Sequence, residues 1–233
     1  MKKNTHFTYL SGFIRSVVFP DRCCFCGRAV PYTAELCRRC ARDEKLIEQP
    51  ACASCGRSRK HCECNGRANF YQGITAPYSY TGNVKRGITR WKYYSAFRSV
   101  SFFAKRVKEC VVRDFDAKKI DVITFVPQTK EEAAKRQFNQ GRALAEEAGR
   151  QMNLPVEELL EKICETPRQH RLPFAFKSGN VFGAFRCCVA EIEGRTILIV
   201  DDIKTSASTL NECAKVLHLG GAAAVYCAVI AVS

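Results

Sequence analysis

The sequence lacks any run of about 18 apolar residues, which excludes a membrane-spanning helix of ordinary length. It also lacks a small-residue cleavage site after its N-terminal apolar stretch, Phe7 to Pro20. That stretch is interrupted by Ser11, Arg15 and Ser16. It reads as a short amphipathic helix rather than a signal peptide. Acidic residues are scarce in one region: residues 71–113 hold 9 basic groups and 1 acidic group. A hydrophobic content of 46% excludes wholesale disorder. At about 150 residues per domain, 233 residues suggest one large domain, or a large one with a small one.

The missing acid is a local matter. Residues 1–70 hold 13 basic and 6 acidic groups, and residues 114–233 hold 15 and 16. The whole excess behind the net charge of +14 therefore lies in the first half. Such asymmetry fits an anionic partner, with nucleic acid the usual one. Solubility combined with attraction of a phosphorylated substrate is the plainer explanation.

Cysteine, by contrast, is abundant and clustered. Nine of 15 fall between Cys23 and Cys64. With no secretion signal the expected compartment is the cytoplasm, where thiols stay reduced and a paired cluster reads as metal. Cys23-x-x-Cys26 is followed by Cys37-x-x-Cys40, and Cys52-x-x-Cys55 by Cys62-x-Cys64. Each Cys-x-x-Cys turn offers two thiolates to one ion, and two turns close a tetrahedral site suited to zinc. Cys-x-x-Cys-Gly-Arg occurs twice, ending at Arg28 and at Arg57, as an internal duplication would leave it. Glycine in the knuckle permits positive φ. The expectation is two structural zinc ribbons. Cys24 in place of Cys23, and His61 as a substitute ligand in the second set, remain open. A module of about 50 residues has a small core, so metal would supply much of its folding energy.

From Tyr71 onward the pattern changes. Ile74–Tyr80 reads as a strand, and Val84–Tyr94 and Ser99–Val112 as helices. Three buried strands follow: Ile120–Val126, Thr196–Val200 and Ala223–Val232. Helical stretches, Glu131–Met152 and Leu210–Leu219, lie between them. Continuous apolar strands alternating with helices describe a parallel sheet covered on both faces. The domains expected are 1–70, an N-terminal helix with a double zinc ribbon, and 71–233, an α/β domain.

The chemistry concentrates after Val200, where Asp201 and Asp202 lead into Thr205, Ser206, Ala207, Ser208 and Thr209. In open α/β sheets, ligands bind beyond the carboxyl ends of the strands. Helix N-terminal amides with Ser and Thr hydroxyls cradle phosphate. Adjacent carboxylates suit ribose hydroxyls or a divalent cation. The plainer alternative is an acidic strand end and a helix capped by Ser208 or Thr209.

Several motifs, in order, carry a family resemblance. They are Phe19-Pro20-Asp21-Arg22-Cys23, the stretch Tyr80–Lys92, Val126-Pro127, and Arg136-x-Phe138-Asn139-Gln140. Thr166-x-x-Gln169, Asn180-Val181-x-Gly183-Ala184-Phe185 and Val200-Asp201-Asp202 complete the set. In these the sequence resembles the ComF family of competence-associated proteins. The resemblance implies a zinc ribbon joined to a type I phosphoribosyltransferase domain that takes 5-phosphoribosyl 1-pyrophosphate with Mg²⁺. Carried over, Asp201 and Asp202 contact the ribose, and Thr205, Ser206, Ala207, Ser208 and Thr209 the 5′-phosphate. Arg136 faces pyrophosphate, and Lys92 matches a family position.

The usual Thr-Thr-Gly of that loop reads Thr205-Ser206-Ala207 here, and Gln137 and Lys177 replace a customary Gly and Arg. Ala207 adds a Cβ where the backbone approaches phosphate, which bears on transferase turnover more than on the pocket itself. Lys204 reads as an extra cation for phosphate. The resemblance also implies a role in DNA uptake beside a helicase-like ATPase. Single-stranded DNA would meet the basic first half, with Phe70, Tyr71, Trp91, Tyr93 and Tyr94 as stacking candidates.

Overall fold

The computed structural model describes residues 20–65, 68–94, 97–129, 139–163, 183–189, 191–206 and 208–233. The expected N-terminal helix, Arg136, Ala207 and the stretch Thr166 to Val181 lie outside the described residues. The chain forms two compact units: Met1–Lys45 with Thr81–Phe102, and Leu46–Tyr80 with Phe103–Ser233. The two cysteine sets consequently fall in different units, whereas composition alone marks its change near residue 70.

The larger unit is built on a parallel sheet. Its strands are β3 (Gly73–Thr75), β9 (Ala224–Val232), β8 (Thr196–Lys204) and β5 (Val122–Phe125), in that order across the sheet. A further strand, β4 (Tyr78–Ser79), also pairs with β9 in parallel. The single strand expected over Ile74–Tyr80 is thus two short ones. Between them lies Pro77, which has no N–H to give a ladder; its carbonyl accepts the Ile47 N–H at 2.9 Å.

The central strands explain the continuous apolar runs. Ile197, Leu198, Ile199 and Val200 are fully buried, as are Cys227 through Ala231. Consecutive buried residues need cover on both faces, because neighbouring side chains point opposite ways. Helix α4 (Gln140–Met152) packs on β5 and β8, and α5 (Ser208–Leu219) packs on β8 and β9. In α5 the buried positions Leu210, Cys213, Ala214 and Leu217 recur at one helical face. Asn153 in the left-handed conformation, φ 56°, closes α4, its N–H returning to Gly149 O. An antiparallel pair, β6 (Leu160–Lys162) with β7 (Phe185–Cys187), adds a second small sheet.

In the smaller unit, β1 (Asp21–Arg22) pairs antiparallel with β2 (Ala29–Val30), and the short helix α1 (Arg38–Arg42) follows. Helix α2 (Gly82–Tyr94) and the start of α3 (Phe97–Asp114) complete it. Phe25 and Phe102, both buried, meet edge to face with centroids 5.5 Å apart. The Arg98 guanidinium pairs with Asp21 and donates to Tyr32 O and Ala34 O, each at 2.9 Å. Among the described residues no helix is long and apolar enough to cross a membrane.

Candidate functional site

Two groups of four thiols converge among the described residues: Cys23, Cys26, Cys37 and Cys40, and Cys52, Cys55, Cys62 and Cys64. Within each, all sulfurs lie within 4.8 Å of one another. Zinc–sulfur bonds of about 2.3 Å place the sulfurs of a tetrahedral site roughly 3.8 Å apart. Cys26 and Cys37 stand at 3.7 Å, Cys52 and Cys64 at 3.6 Å, and Cys55 and Cys62 at 3.4 Å. The residues present therefore fit zinc. Cys23 occupies the first cluster. Cys24 is outside it, with its thiol directed to Arg98 O and pushed up to about 12 by burial. His61 is exposed at the end of a single 3-10 turn and does not join the second cluster.

The knuckle geometry follows from the repeated motif. Gly27 and Gly56 sit at φ 75° and 77°, a region that a side chain would strain. Their N–H groups return to Cys23 O and Cys52 O at 2.9 and 2.7 Å. Backbone amides also lower individual thiols. The N–H of Cys40 brings Cys37 down to about 7, and the N–H of Cys64 does the same for Cys62. Burial pushes Cys55 up to about 12. Metal binding needs every ligand deprotonated, so the amide contacts favour the liganded form.

Beside the first cluster is a cavity of about 230 Å³, lined by Cys26, Cys37, Cys40, Arg28, Arg39 and Arg86. All three arginines are exposed. Of the aromatics expected to stack on bases, Tyr93 (74% exposed) and Phe70 (47%) are accessible. Tyr71 and Trp91 are not, being 4% and 2% exposed; both are core residues, and Tyr71 also donates to Ser54 O.

The second candidate site is at the carboxyl end of β8. The strand continues four residues past Val200, so Asp201 and Asp202 remain in the ladder; Asp201 pairs with Val229 and Lys204 with Val232. Asp201 Oδ1 accepts the Asp202 N–H at 2.8 Å. A Cβ on Gly141 would stand 3.5 Å from that oxygen, so the first turn of α4 abuts the carboxylate. Asn139 caps that turn. Its Oδ1 accepts the Arg142 N–H at 3.0 Å, while its Nδ2 donates to Val126 O at 3.3 Å and ties the helix start to the end of β5. The carboxylate thus lies close to the first turn of α4, a place where negative charge is favoured.

Past β8, Thr205 is exposed, and Ser206 and Ser208 bring their hydroxyl oxygens to 2.5 Å. Ser208 and Thr209 open α5 and are half-buried. Hydroxyls are therefore gathered at one helix start that follows, in the chain, the strand carrying the two carboxylates. Lys92 lies on α2, in the smaller unit.

One expectation is corrected here. Lys204 does not reach toward the hydroxyl loop as a phosphate cation. It is buried, 7% exposed, and its Nζ donates to Cys55 O at 3.0 Å. Burial pushes its ammonium pKa down. Its partner lies 149 residues away, so no local pattern announces it.

The family description "double zinc ribbon domain" matches residues 14–71. The DNA utilization protein YhgH of Salmonella typhimurium is 25% identical over 207 residues, covering 87% of this chain and 86% of its own. Competence protein F of Haemophilus influenzae is 25% identical over 212 residues, covering 86% of this chain and 92% of its own. Among solved structures, a glutamine phosphoribosylpyrophosphate amidotransferase from B. subtilis is similar at a TM-score of 0.40 and 19% identity, over 61% of this chain and 30% of that one. The chain thus carries a double zinc ribbon ahead of a parallel α/β sheet, and along most of its length it is similar to proteins named for competence and DNA utilization.

Proposed function

We propose that the chain binds 5-phosphoribosyl 1-pyrophosphate at the end of β8 and acts in the handling of DNA during uptake. The observation that carries the pocket is the continuity from Asp201 and Asp202 into a hydroxyl-lined helix start. Thr205, Ser206, Ser208 and Thr209 would hold the 5′-phosphate with the first amides of α5. Asp202 and Asp201 would orient the ribose hydroxyls, with Asp201 Oδ1 held by the Asp202 N–H. Hard carboxylate oxygens of this kind fit Mg²⁺, which keeps several waters and shares substrate phosphates. When bound, Mg²⁺ would neutralise pyrophosphate charge. The chain's own part is to position the sugar and exclude alternative poses. Arg136 and Ala207 enter this reading through the family resemblance alone, as does a helicase-like ATPase partner.

Calorimetric titration of the full chain with 5-phosphoribosyl 1-pyrophosphate tests the pocket. Binding that requires Mg²⁺ and weakens by at least about tenfold in Asp202→Asn supports it. No heat at millimolar ligand overturns it.

The cavity lined by Arg28, Arg39 and Arg86 favours a second role, contact with the phosphates of single-stranded DNA. Guanidinium groups spaced around a concavity suit successive phosphates better than scattered lysines do. Exposed Tyr93 is available for stacking in the same unit. Binding to an oligothymidylate that does not weaken between low and moderate salt would overturn this contact.

A further inference from the structure

The second knuckle is not an appendage of the sheet; its backbone is bonded into it. Three successive carbonyls are taken up in turn. Ala53 O accepts the Ile74 N–H of β3 at 2.9 Å. Ser54 O accepts the Tyr71 hydroxyl at 2.8 Å and Asn69 Nδ2 at 3.1 Å. Cys55 O accepts Lys204 Nζ at 3.0 Å, in a buried bond. Arg57, two residues on, donates to Ser233 O at 2.6 Å, and the Ser233 N–H returns to Lys204 O at 2.9 Å. A Cβ on Gly56 would be 3.0 Å from Val232 Cγ1, so the knuckle glycine lies against β9 where β9 pairs with Lys204. The knuckle that presents Cys52 and Cys55 therefore grips the last residue of β8. The next residue, Thr205, begins the hydroxyl loop.

We propose that metal binding at Cys52, Cys55, Cys62 and Cys64 is coupled to anion binding at the hydroxyls of Thr205, Ser206, Ser208 and Thr209, with Lys204 as the positioning residue between them. This rests on the phosphate reading of that loop given above. The physical case has three parts. A tetrathiolate fixes the Cys52–Cys55 turn, because four bonds to one ion leave the knuckle a single shape. A fixed turn holds the Cys55 carbonyl where Lys204 can reach it. A buried ammonium without that acceptor would be expensive, so release of the turn displaces the side chain and the strand end that bears it. Without metal the hydroxyl loop would begin from a loosened strand end, and an anion would have to order it on binding. Coupling of this kind is reciprocal: bound anion must tighten the metal at this cluster by the same factor. The first knuckle closes on its own unit: the Cys23, Cys24 and Gly27 N–H groups donate to Arg28 O, Glu35 O and Cys23 O.

Lys204 serves in this scheme through its length and its donor. Methionine keeps a similar apolar stem and volume but cannot donate. Arginine retains charge and donors.

The test uses the full chain in four forms: unaltered, Cys37→Ser, Cys62→Ser and Lys204→Met, with Lys204→Arg as the rescue. Affinity for 5-phosphoribosyl 1-pyrophosphate with Mg²⁺ is measured by calorimetry. Zinc affinity is measured by competition with a chromogenic chelator, and backbone exchange of residues 203–206 by mass spectrometry without any ligand. Losing the second cluster in Cys62→Ser should weaken the phosphoribosyl ligand by about tenfold and speed exchange at 203–206. Losing the first in Cys37→Ser should change each by less than about twofold. In Lys204→Met, saturating ligand should no longer tighten zinc, although each ligand still binds singly; Lys204→Arg should restore part of the coupling.

Equal effects of the two cysteine variants overturn the proposal. So does a Lys204→Met protein in which ligand still tightens zinc as in the unaltered chain. If the unaltered chain binds no phosphoribosyl ligand, the functional reading of the loop fails. The exchange arm then decides the link alone: faster exchange on removing the second zinc, abolished as a difference in Lys204→Met, upholds it, and unchanged exchange sinks it.

Discussion

The two knuckles carry the same six-residue pattern, ending at Arg28 and Arg57, yet they are put to different mechanical use. In the first, the surroundings are helical and cationic. Phe25 packs on Phe102, Arg98 bridges Asp21 to the carbonyls of Tyr32 and Ala34, and three arginines rim a cavity at the sulfurs. In the second, the carbonyls between the paired thiols are bonded to β3 and β8. A metal motif sets the positions of its sulfurs. What it holds in place is decided by the carbonyls and side chains around it, and those belong to distant parts of the chain.

The largest effect expected from this difference concerns stability. Metal supplies several kcal/mol to small zinc modules. Cys40→Ala should unfold the smaller unit while leaving the cooperative transition of the sheet nearly where it was. Cys55→Ala should lower the sheet transition itself, because the knuckle's hydrogen bonds to β3 and β8 go with the metal. Urea titration followed by far-ultraviolet circular dichroism, with tryptophan fluorescence reporting Trp91 in α2, separates the two. A single shared transition displaced equally by both variants would remove the contrast.

The next effect isolates packing from metal. Phe102→Ala removes the buried edge-to-face partner of Phe25 and should cost about 3–5 kcal/mol, felt in the smaller unit. Ile199→Ala in β8 should cost about 2–5 kcal/mol, felt in the sheet. Zinc affinity at the first cluster should fall only in the phenylalanine variant, and chelator competition on each protein checks this.

Much of this arrangement was legible from the amino acids alone. The parallel strands were marked by unbroken apolar runs, because a strand buried on both faces has no polar alternation to show. The end of α5 was marked by Gly220-Gly221. Eight thiols could be grouped by spacing because a chelate turn has a fixed length. Other features had no local signal. β8 runs on through Asp201 and Asp202, and carboxylates inside a strand look like a loop in any hydropathy reading. Lys204 appears as one more surface cation until the fold delivers Cys55 O to it. Tyr71 and Trp91 resemble stacking aromatics among basic residues, but aromatic rings are as readily core as contact surface. β6 and β7 are joined by a long intervening segment, so neither strand predicts its partner.

A smaller effect bears on the cationic knuckle. Replacing Arg28, Arg39 and Arg86 with glutamine should weaken oligothymidylate binding and lower the salt slope by about one for each phosphate no longer neutralised. The same replacements should leave phosphoribosyl ligand affinity unchanged, since the hydroxyl loop belongs to the other unit. Fluorescence anisotropy at several salt concentrations gives the slope. An undiminished slope in the triple variant would place the polyanion elsewhere.

The smallest effect is electrostatic and belongs to the sheet side of the comparison. Asp114 ends α3, where Arg113 donates to both its oxygens at 2.7 Å and the buried Thr75 hydroxyl of β3 donates to one of them. Burial by itself would raise this carboxyl, but the hydrogen bonds from Arg113 and Thr75 and the guanidinium charge outweigh it and hold the pKa below the ordinary value. A depressed carboxyl stabilises the fold fully at pH values above its unfolded pKa of about 3.9, and the contribution is lost as pH falls through the folded value. The loss should therefore appear below about pH 4 and be absent at neutrality. Asp114→Asn should cost under about 1 kcal/mol at pH 7, a figure tempered by partial solvent exposure, and should flatten the acid limb of the sheet transition. The acid limb of the first cluster's transition should not change, because Asp114 and Thr75 lie in the larger unit. Urea midpoints between pH 3 and pH 7 for the two proteins decide it: parallel curves would mean that the carboxylate does nothing for the edge strand that the second knuckle also grips through Ala53 O.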